Sequence, residues 1–204
     1  MQDSRLYLIL DAQVCDHQRL WEVLKAGVNN GVDIVQLRDK LGTASKLVDF
    51  VKRAQAYLKG RVPFIVNDRA DVALAAGASG VHVGQDDLAV SVVRKICGKG
   101  SFVGKSCQSI EHLLGAQTEG ADYIGFGSVF KTKTKPGRRP MDIDLLYEVV
   151  KCSRVPVFAI GGITIKNIGA VRACGISRIA VCREILLSPD PGKSAASLKK
   201  TLIT

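Results

Sequence analysis

Short apolar runs alternate along the whole chain with longer segments of helical spacing, and most of the apolar runs end in polar residues. Residues 5–10, 33–37, 62–66, 80–83, 101–105, 122–126, 155–160 and 177–181 read as strands. Residues 17–30, 43–58, 70–76, 89–96, 110–118, 143–150 and 165–173 read as the helices between them. The first of these carries Leu20, Val23, Leu24 and Val28 on one face, and the second Leu47, Val48, Val51 and Ala54. A short turn at 184–187 follows the last strand, residues 188–192 make a further turn, and a final helix covers 195–202. Thr43 is placed to cap the second helix, and either Asp86 or Asp87 to cap the fourth.

Eight strand–helix alternations argue for a parallel sheet. Eight units within 204 residues argue for closure into a single-domain (β/α)₈ TIM barrel spanning 1–204, with an open doubly wound sheet as the alternative. A repeat supports closure: Gly31, Gly77, Gly120 and Gly175 each follow an odd-numbered helix and lead into the next strand, where a left-handed residue ends a helix well.

Composition sharpens the picture. Hydrophobic residues make up 47% of the chain and aromatics only 5%, so the core is built of Val, Ile, Leu and Ala, as in sheets covered on both faces. Lys and Arg number 29 against 19 acids, a net charge of +10, which points to anionic partners. Basic residues interleaved with exposed aromatics, the pattern of a nucleic-acid surface, are lacking, so small phosphorylated ligands are the expected partners and nucleic acid is not. The six cysteines form no C-x-x-C pair and no zinc spacing. With no signal segment and no apolar stretch of membrane length, free thiols in the cytoplasm, away from membranes, are expected. A homo-oligomer is left open.

Ligands of such sheets bind at the carboxyl ends of the strands. The polar residues there are Gln36, Arg38 and Lys40 after strand two, Asn67 and Asp68 after strand three, and Gln85, Asp86 and Asp87 after strand four. Ser106 follows strand five, Thr132, Lys133, Thr134 and Lys135 strand six, Gly161 and Gly162 strand seven, and Cys182 and Arg183 strand eight. Taken singly each has a plain explanation as a cap, a turn or solvated charge. Jointly they place carboxylates on two neighbouring strands beside cations from two others. Carboxylates repel phosphate unless a divalent ion bridges them, and Mg²⁺ is held in this way. His82, within a strand, reads as a hydrogen-bonded interior residue.

The segments Gln36-Leu37-Arg38-Asp39-Lys40, Val66-Asn67-Asp68-Arg69, Gly80-Val81-His82-Val83-Gly84-Gln85-Asp86-Asp87, Gly104-Lys105-Ser106, Thr132-Lys133-Thr134-Lys135 and Ala159-Ile160-Gly161-Gly162-Ile163 together resemble the thiamine phosphate synthase family, in that family's order and over nearly the whole chain. The resemblance implies a (β/α)₈ barrel that joins hydroxymethylpyrimidine diphosphate to hydroxyethylthiazole phosphate and releases diphosphate, with Mg²⁺ as cofactor. By the same resemblance Asp68 and Asp87 bind the metal. Arg38, Lys40, Asn67, Ser106 and Lys135 hold the diphosphate, with Arg38, Ser106 and Lys135 serving catalysis. Gln36 contacts the pyrimidine, Thr132 and Thr134 line the thiazole side, and Gly162 with the backbone of Cys182 and Arg183 takes the thiazole phosphate.

The sequence departs from the family pattern at three places. Lys105 stands where a small apolar residue is usual, Arg138-Arg139-Pro140-Met141 replaces a small glycine-containing turn, and Arg183 occupies a position commonly serine. The implied chemistry is ionisation of the pyrimidine methylene, helped by the amino-substituted ring, with capture by the thiazole nitrogen. The basic loop from Lys131 to Arg139 is expected to close over the bound anion. A thiazole tautomerase-like isomerase and a barrel that only binds thiamine precursors are the alternatives.

Overall fold

The computed structural model describes residues 1–134, 137 and 139–203. Lys135, Pro136, Arg138 and Thr204 lie outside the described residues. The chain runs β1 (Leu6–Asp11), α1 (His17–Val28), β2 (Ile34–Arg38), α2 (Ala44–Leu58), β3 (Phe64–Asn67), α3 (Ala70–Ala76), β4 (Gly80–Val83) and α4 (Val90–Cys97). It continues with β5 (Phe102–Cys107), α5 (Ile110–Thr118), β6 (Tyr123–Phe126), α6 (Leu145–Cys152), β7 (Val157–Ile160) and α7 (Ile168–Ala173). The last elements are β8 (Ile179–Val181), α8 (Arg183–Leu186) and α9 (Pro191–Ile203). The strands are parallel and close into one barrel in chain order, β1 pairing with both β2 and β8. The alternation therefore resolves as the (β/α)₈ barrel and not as an open sheet.

Two apolar clusters hold it together. The larger lies between the strands and the ring of helices, where the α1 stripe of Leu20, Val23 and Leu24 is fully buried. Burial of one such side chain is worth about 1.5–3 kcal/mol. The smaller fills the barrel itself with Tyr7, Ile9, Ile34, Ile65, Tyr123, Phe158 and Ala180. Tyr7 and Tyr123 each pack edge-on against Phe158, ring centroids 5.4 and 5.9 Å apart. Three of the chain's aromatics, Tyr7, Tyr123 and Phe158, thus meet inside the barrel, a placement that composition alone does not reveal.

Caps and ends depart from expectation in ways the geometry explains. Thr43 does stand at the N-cap of α2, but its side chain makes no capping bond. Neither Asp86 nor Asp87 caps α4, whose N-cap is Ala89. Asp87 Oδ2 instead accepts from the Gly84 N–H at 2.8 Å, folding the β4–α4 loop back on itself. The final helix begins at Pro191 and not at 195, because proline suits a first turn and Asp190 Oδ1 accepts from the Lys193 N–H at 2.9 Å. Gly31, Gly77, Gly120 and Gly175 all have positive φ, as the repeat requires. No described helix is long and apolar enough to cross a membrane.

Candidate active site at the barrel mouth

The carboxyl ends of the strands surround a cavity of about 350 Å³. Its lining includes Gln36, Arg38, Asn67, Ser106, Thr132, Thr134, Gly162, Cys182 and Arg183, gathered from six strand ends. Lys40, Asp68 and Asp87 are not part of that lining; they form a group of their own at the adjoining rim. Lys135 lies outside the described residues.

Arg38 is the buried cation of the wall. Parallel pairing sets Asp11 of β1 opposite it. Arg38 Nη1 donates to Asp11 Oδ2 at 2.8 Å and to Gln13 Oε1 at 2.7 Å, and Asp11 Oδ1 accepts from the Gln13 N–H. Asp11 is wholly buried and Arg38 only 8% exposed, so the pair is a fixed element of the wall. Arg38 Nε is buried without a partner among the described residues. A buried guanidinium with a spare donor suits an anionic ligand. Asp11 was missed at the sequence level, although the rule that found the other rim residues applies to it: it is the polar residue that ends the first apolar run.

At the rim, Asp68 and Asp87 come within hydrogen-bonding reach of each other. Asp68 has φ 62°, one of two described non-glycine residues with positive φ. Its N–H donates to the His82 carbonyl at 2.8 Å, and Lys40 Nζ lies 3.3 Å from its Oδ2. Burial, then the neighbouring Asp87, pushes the Asp68 carboxyl up, while Lys40 works against this. Burial opposes ionisation of Asp87 too, but the hydrogen bonds from Asp68 and the Gly84 N–H, with the charges of Lys40 and Lys105, hold it below the ordinary range. The pair is therefore primed to hold one proton between two oxygens, or one cation in its place. Two hard oxygen donors suit Mg²⁺, which completes its shell with substrate and water oxygens. No cluster of three or more metal-ligating side chains occurs among the described residues, so a site closed by protein ligands alone is not formed there.

Lys105 now has a place. Strand alternation turns it outward with Val103 and Cys107, yet it is buried, and its Nζ donates to the Gly84 carbonyl at 2.8 Å. It braces the loop that carries Asp87. The turn after β2 is braced as well. Asp39 Oδ1 accepts from the Leu41 and Gly42 N–H groups, and Oδ2 meets His17 Nε2 at 2.9 Å. That turn carries Lys40.

The cavity floor is polar in an unexpected way. Gln36 Nε2 donates to Tyr7 Oη at 2.8 Å, and Tyr7 Oη lies 2.9 Å from Tyr123 Oη. Tyr123 Oη is 3.2 Å from His82 Nδ1, and His82 Nε2 is 2.9 Å from Ser106 Oγ. His82 is thus the interior hydrogen-bonded residue expected. The tyrosines were read only as apolar strand residues; periodicity places a ring but not its hydroxyl.

On the opposite wall, the Val129 and Phe130 N–H groups donate to the Ile160 and Gly161 carbonyls, and the Met141 N–H to Ser128 O, each at 2.9 Å. This ties the stem of the basic loop to the end of β7. Gly162 has φ 62°, and a Cβ there would meet the Lys131 carbonyl at 2.5 Å. The Thr134 N–H donates to Thr132 Oγ1 at 3.2 Å, and the Thr134 side chain hydrogen-bonds Cys182. Burial pushes the Cys182 thiol up to about 12, so it serves as a wall group and not as a nucleophile.

Fold and site together define a (β/α)₈ barrel with an anion-handling mouth, cationic and hydroxyl groups on its wall and a carboxylate pair at its rim. The family model described as thiamine monophosphate synthase matches residues 6–185, and the chain belongs to that family of transferases. It is 39% identical over 202 residues to a thiamine-phosphate synthase of Ruminiclostridium cellulolyticum, covering 98% of this chain and 96% of the relative. It is 39% identical over 200 residues to a thiamine-phosphate synthase of Synechococcus sp. (strain WH7803), covering 97% of this chain but 57% of that longer relative. A thiamine phosphate pyrophosphorylase from Pyrococcus furiosus superposes with a TM-score of 0.88 at 31% identity, covering 98% of this chain and 95% of that one.

Proposed function

We propose that this chain, acting as one domain in the cytoplasm, joins hydroxymethylpyrimidine diphosphate to hydroxyethylthiazole phosphate, giving thiamine phosphate and diphosphate. The observation that carries the reading is the Asp68–Asp87 pair beside the buried, partly unpartnered Arg38. An isomerase would leave that pair without a role.

Arg38, Lys40, Asn67, Ser106 and Lys135 hold the diphosphate oxygens. Gln36 reads the pyrimidine, Thr132 and Thr134 flank the thiazole, and Gly162 with the backbone of Cys182 and Arg183 receives the thiazole phosphate. Mg²⁺ bound by Asp68 and Asp87 would neutralise charge on the departing diphosphate. The carbon–oxygen bond at the pyrimidine methylene breaks, and its electron pair leaves with the diphosphate. The thiazole nitrogen then donates its lone pair to the carbon. Arg38 and the Ser106 hydroxyl are already positioned by buried partners, so little reorganisation is needed as charge develops.

The test is release of diphosphate on mixing both substrates with Mg²⁺, against mixtures lacking one component. Release that requires all three supports the reading. Binding of both substrates without release would leave only a binding barrel.

A further inference from the structure

The hydrogen-bonded row across the cavity floor connects two ligand-facing groups. Gln36 stands at one end and Ser106 at the other, with Tyr7, Tyr123 and His82 between them. Both end groups line the cavity. Tyr7 and Tyr123 are 2% and 0% exposed, so water does not interrupt the row there. Gly104 makes room for it: a Cβ at that position would collide with the Tyr123 ring and His82 Nδ1.

Each hydroxyl in the row has one proton, and a neutral imidazole has one donor and one acceptor. The row therefore has two consistent arrangements. In the first, Gln36 donates to Tyr7, Tyr7 to Tyr123, Tyr123 to His82 Nδ1, and His82 Nε2–H to Ser106. This leaves the Gln36 carbonyl oxygen and the Ser106 proton for the ligand. In the second, every bond runs the other way. Ser106 donates to His82, Tyr7 donates to the Gln36 carbonyl, and the cavity is offered the Gln36 NH₂ and a Ser106 lone pair. The structure has the first arrangement at Gln36.

We propose that this row couples the two ends, so that an anionic oxygen at Ser106 fixes the polarity with which Gln36 reads the other half of the same ligand. A diphosphate oxygen accepts hydrogen bonds and cannot donate one. It therefore selects the first arrangement, in which the Ser106 proton is free to be donated to the ligand. The same arrangement turns an acceptor toward the ring, which favours a ring bearing an amino group over one bearing an oxo group. Tyr7, Tyr123 and His82 are positioning residues that act through Gln36 and Ser106. The inference rests on the proposed pyrimidine diphosphate substrate for its consequence, but not for its geometry.

The chain has three histidines, His17, His82 and His112, so ¹⁵N spectra of labelled imidazoles can be assigned with His17→Gln and His112→Gln variants. With magnesium diphosphate at pH 8, His82 should carry its proton on Nε2, with Nδ1 unprotonated and accepting from Tyr123; in Tyr123→Phe the Nδ1 resonance should move. A proton on Nδ1 in the wild type, or spectra indifferent to Tyr123→Phe, would overturn the proposal. The second arm compares kcat/KM for amino- and oxo-pyrimidine diphosphates. Tyr7→Phe and Tyr123→Phe, once shown to be folded by circular dichroism, should reduce the wild-type preference at least about tenfold, since a misaligned buried amide loses its discrimination. A preference unchanged within about twofold in folded variants would overturn it. The expected tautomer in a wild-type protein that converts neither substrate would support the row and defeat the thiamine phosphate reading instead.

Discussion

Asp68 combines a left-handed backbone with a carboxyl whose ionisation is opposed by burial and by Asp87. Its pKa is raised on folding, so at neutral pH its charge opposes folding. That cost fades below about pH 4, where the unfolded carboxyl is itself protonated. Asp68→Asn keeps a side chain that tolerates positive φ and can donate to Asp87. We expect Asp68→Asn to melt higher than the wild type at pH 7, with the gain disappearing toward pH 3, and to lose at least about 10²-fold in turnover, as should Asp87→Asn. Near-normal, chelator-resistant turnover in either variant would remove the metal from the account. Asp11→Asn strips the buried Arg38 of its counter-charge. It should cost about 3 kcal/mol of stability in denaturant titration and raise KM for the diphosphate substrate. The rim residues were legible because they recur jointly past successive apolar runs, carboxylates after two neighbouring strands and cations after two others, which caps and turns do not explain together. Asp11 ends the first apolar run in the same way but belongs to none of the segments that singled out the other rim residues, and the Tyr7 and Tyr123 hydroxyls obeyed no pattern at all.

The loops of the mouth are braced from outside the cavity. Lys105 holds the β4–α4 loop, Asp39 with His17 holds the β2–α2 turn, and the ends of β6 and β7 share the stem of the basic loop. None of these braces could be inferred from periodicity, because each joins residues that are distant in sequence or hidden within a motif. The proposed diphosphate and thiazole phosphate subsites thus rest on separate braces. Lys40→Ala should therefore act mainly on KM for the diphosphate substrate. Gly162→Val, which strains a left-handed position and pushes on the Lys131 carbonyl, should act mainly on KM for the thiazole phosphate. Equal effects of both on both substrates would show the subsites to be wrongly divided. Lys131, Lys133 and Arg139 are exposed between the tied ends of the basic loop. Trypsin should cut there in the free protein and more slowly with magnesium diphosphate. Cleavage mapped by mass spectrometry at equal rates with and without the ligand would deny the loop a closing role.

The barrel itself was the most legible feature, because eight alternations of period and four recurring glycines leave few other ways to fold. Element ends drifted where local chemistry outweighed periodicity, as at Pro191. At the scale of the molecule, the excess of cations fits the division of work proposed for the mouth, with the carboxylate pair toward β3 and β4 from Arg38 and the glycines toward β7. The most direct test is a crystal soaked with Mg²⁺, diphosphate and thiamine phosphate. We expect metal density at Asp68 and Asp87 touching diphosphate, that diphosphate on Arg38, and the thiazole phosphate against Gly162 and the Cys182–Arg183 backbone. Ligands held elsewhere, or a diphosphate bound with no metal between it and the two carboxylates, would contradict this.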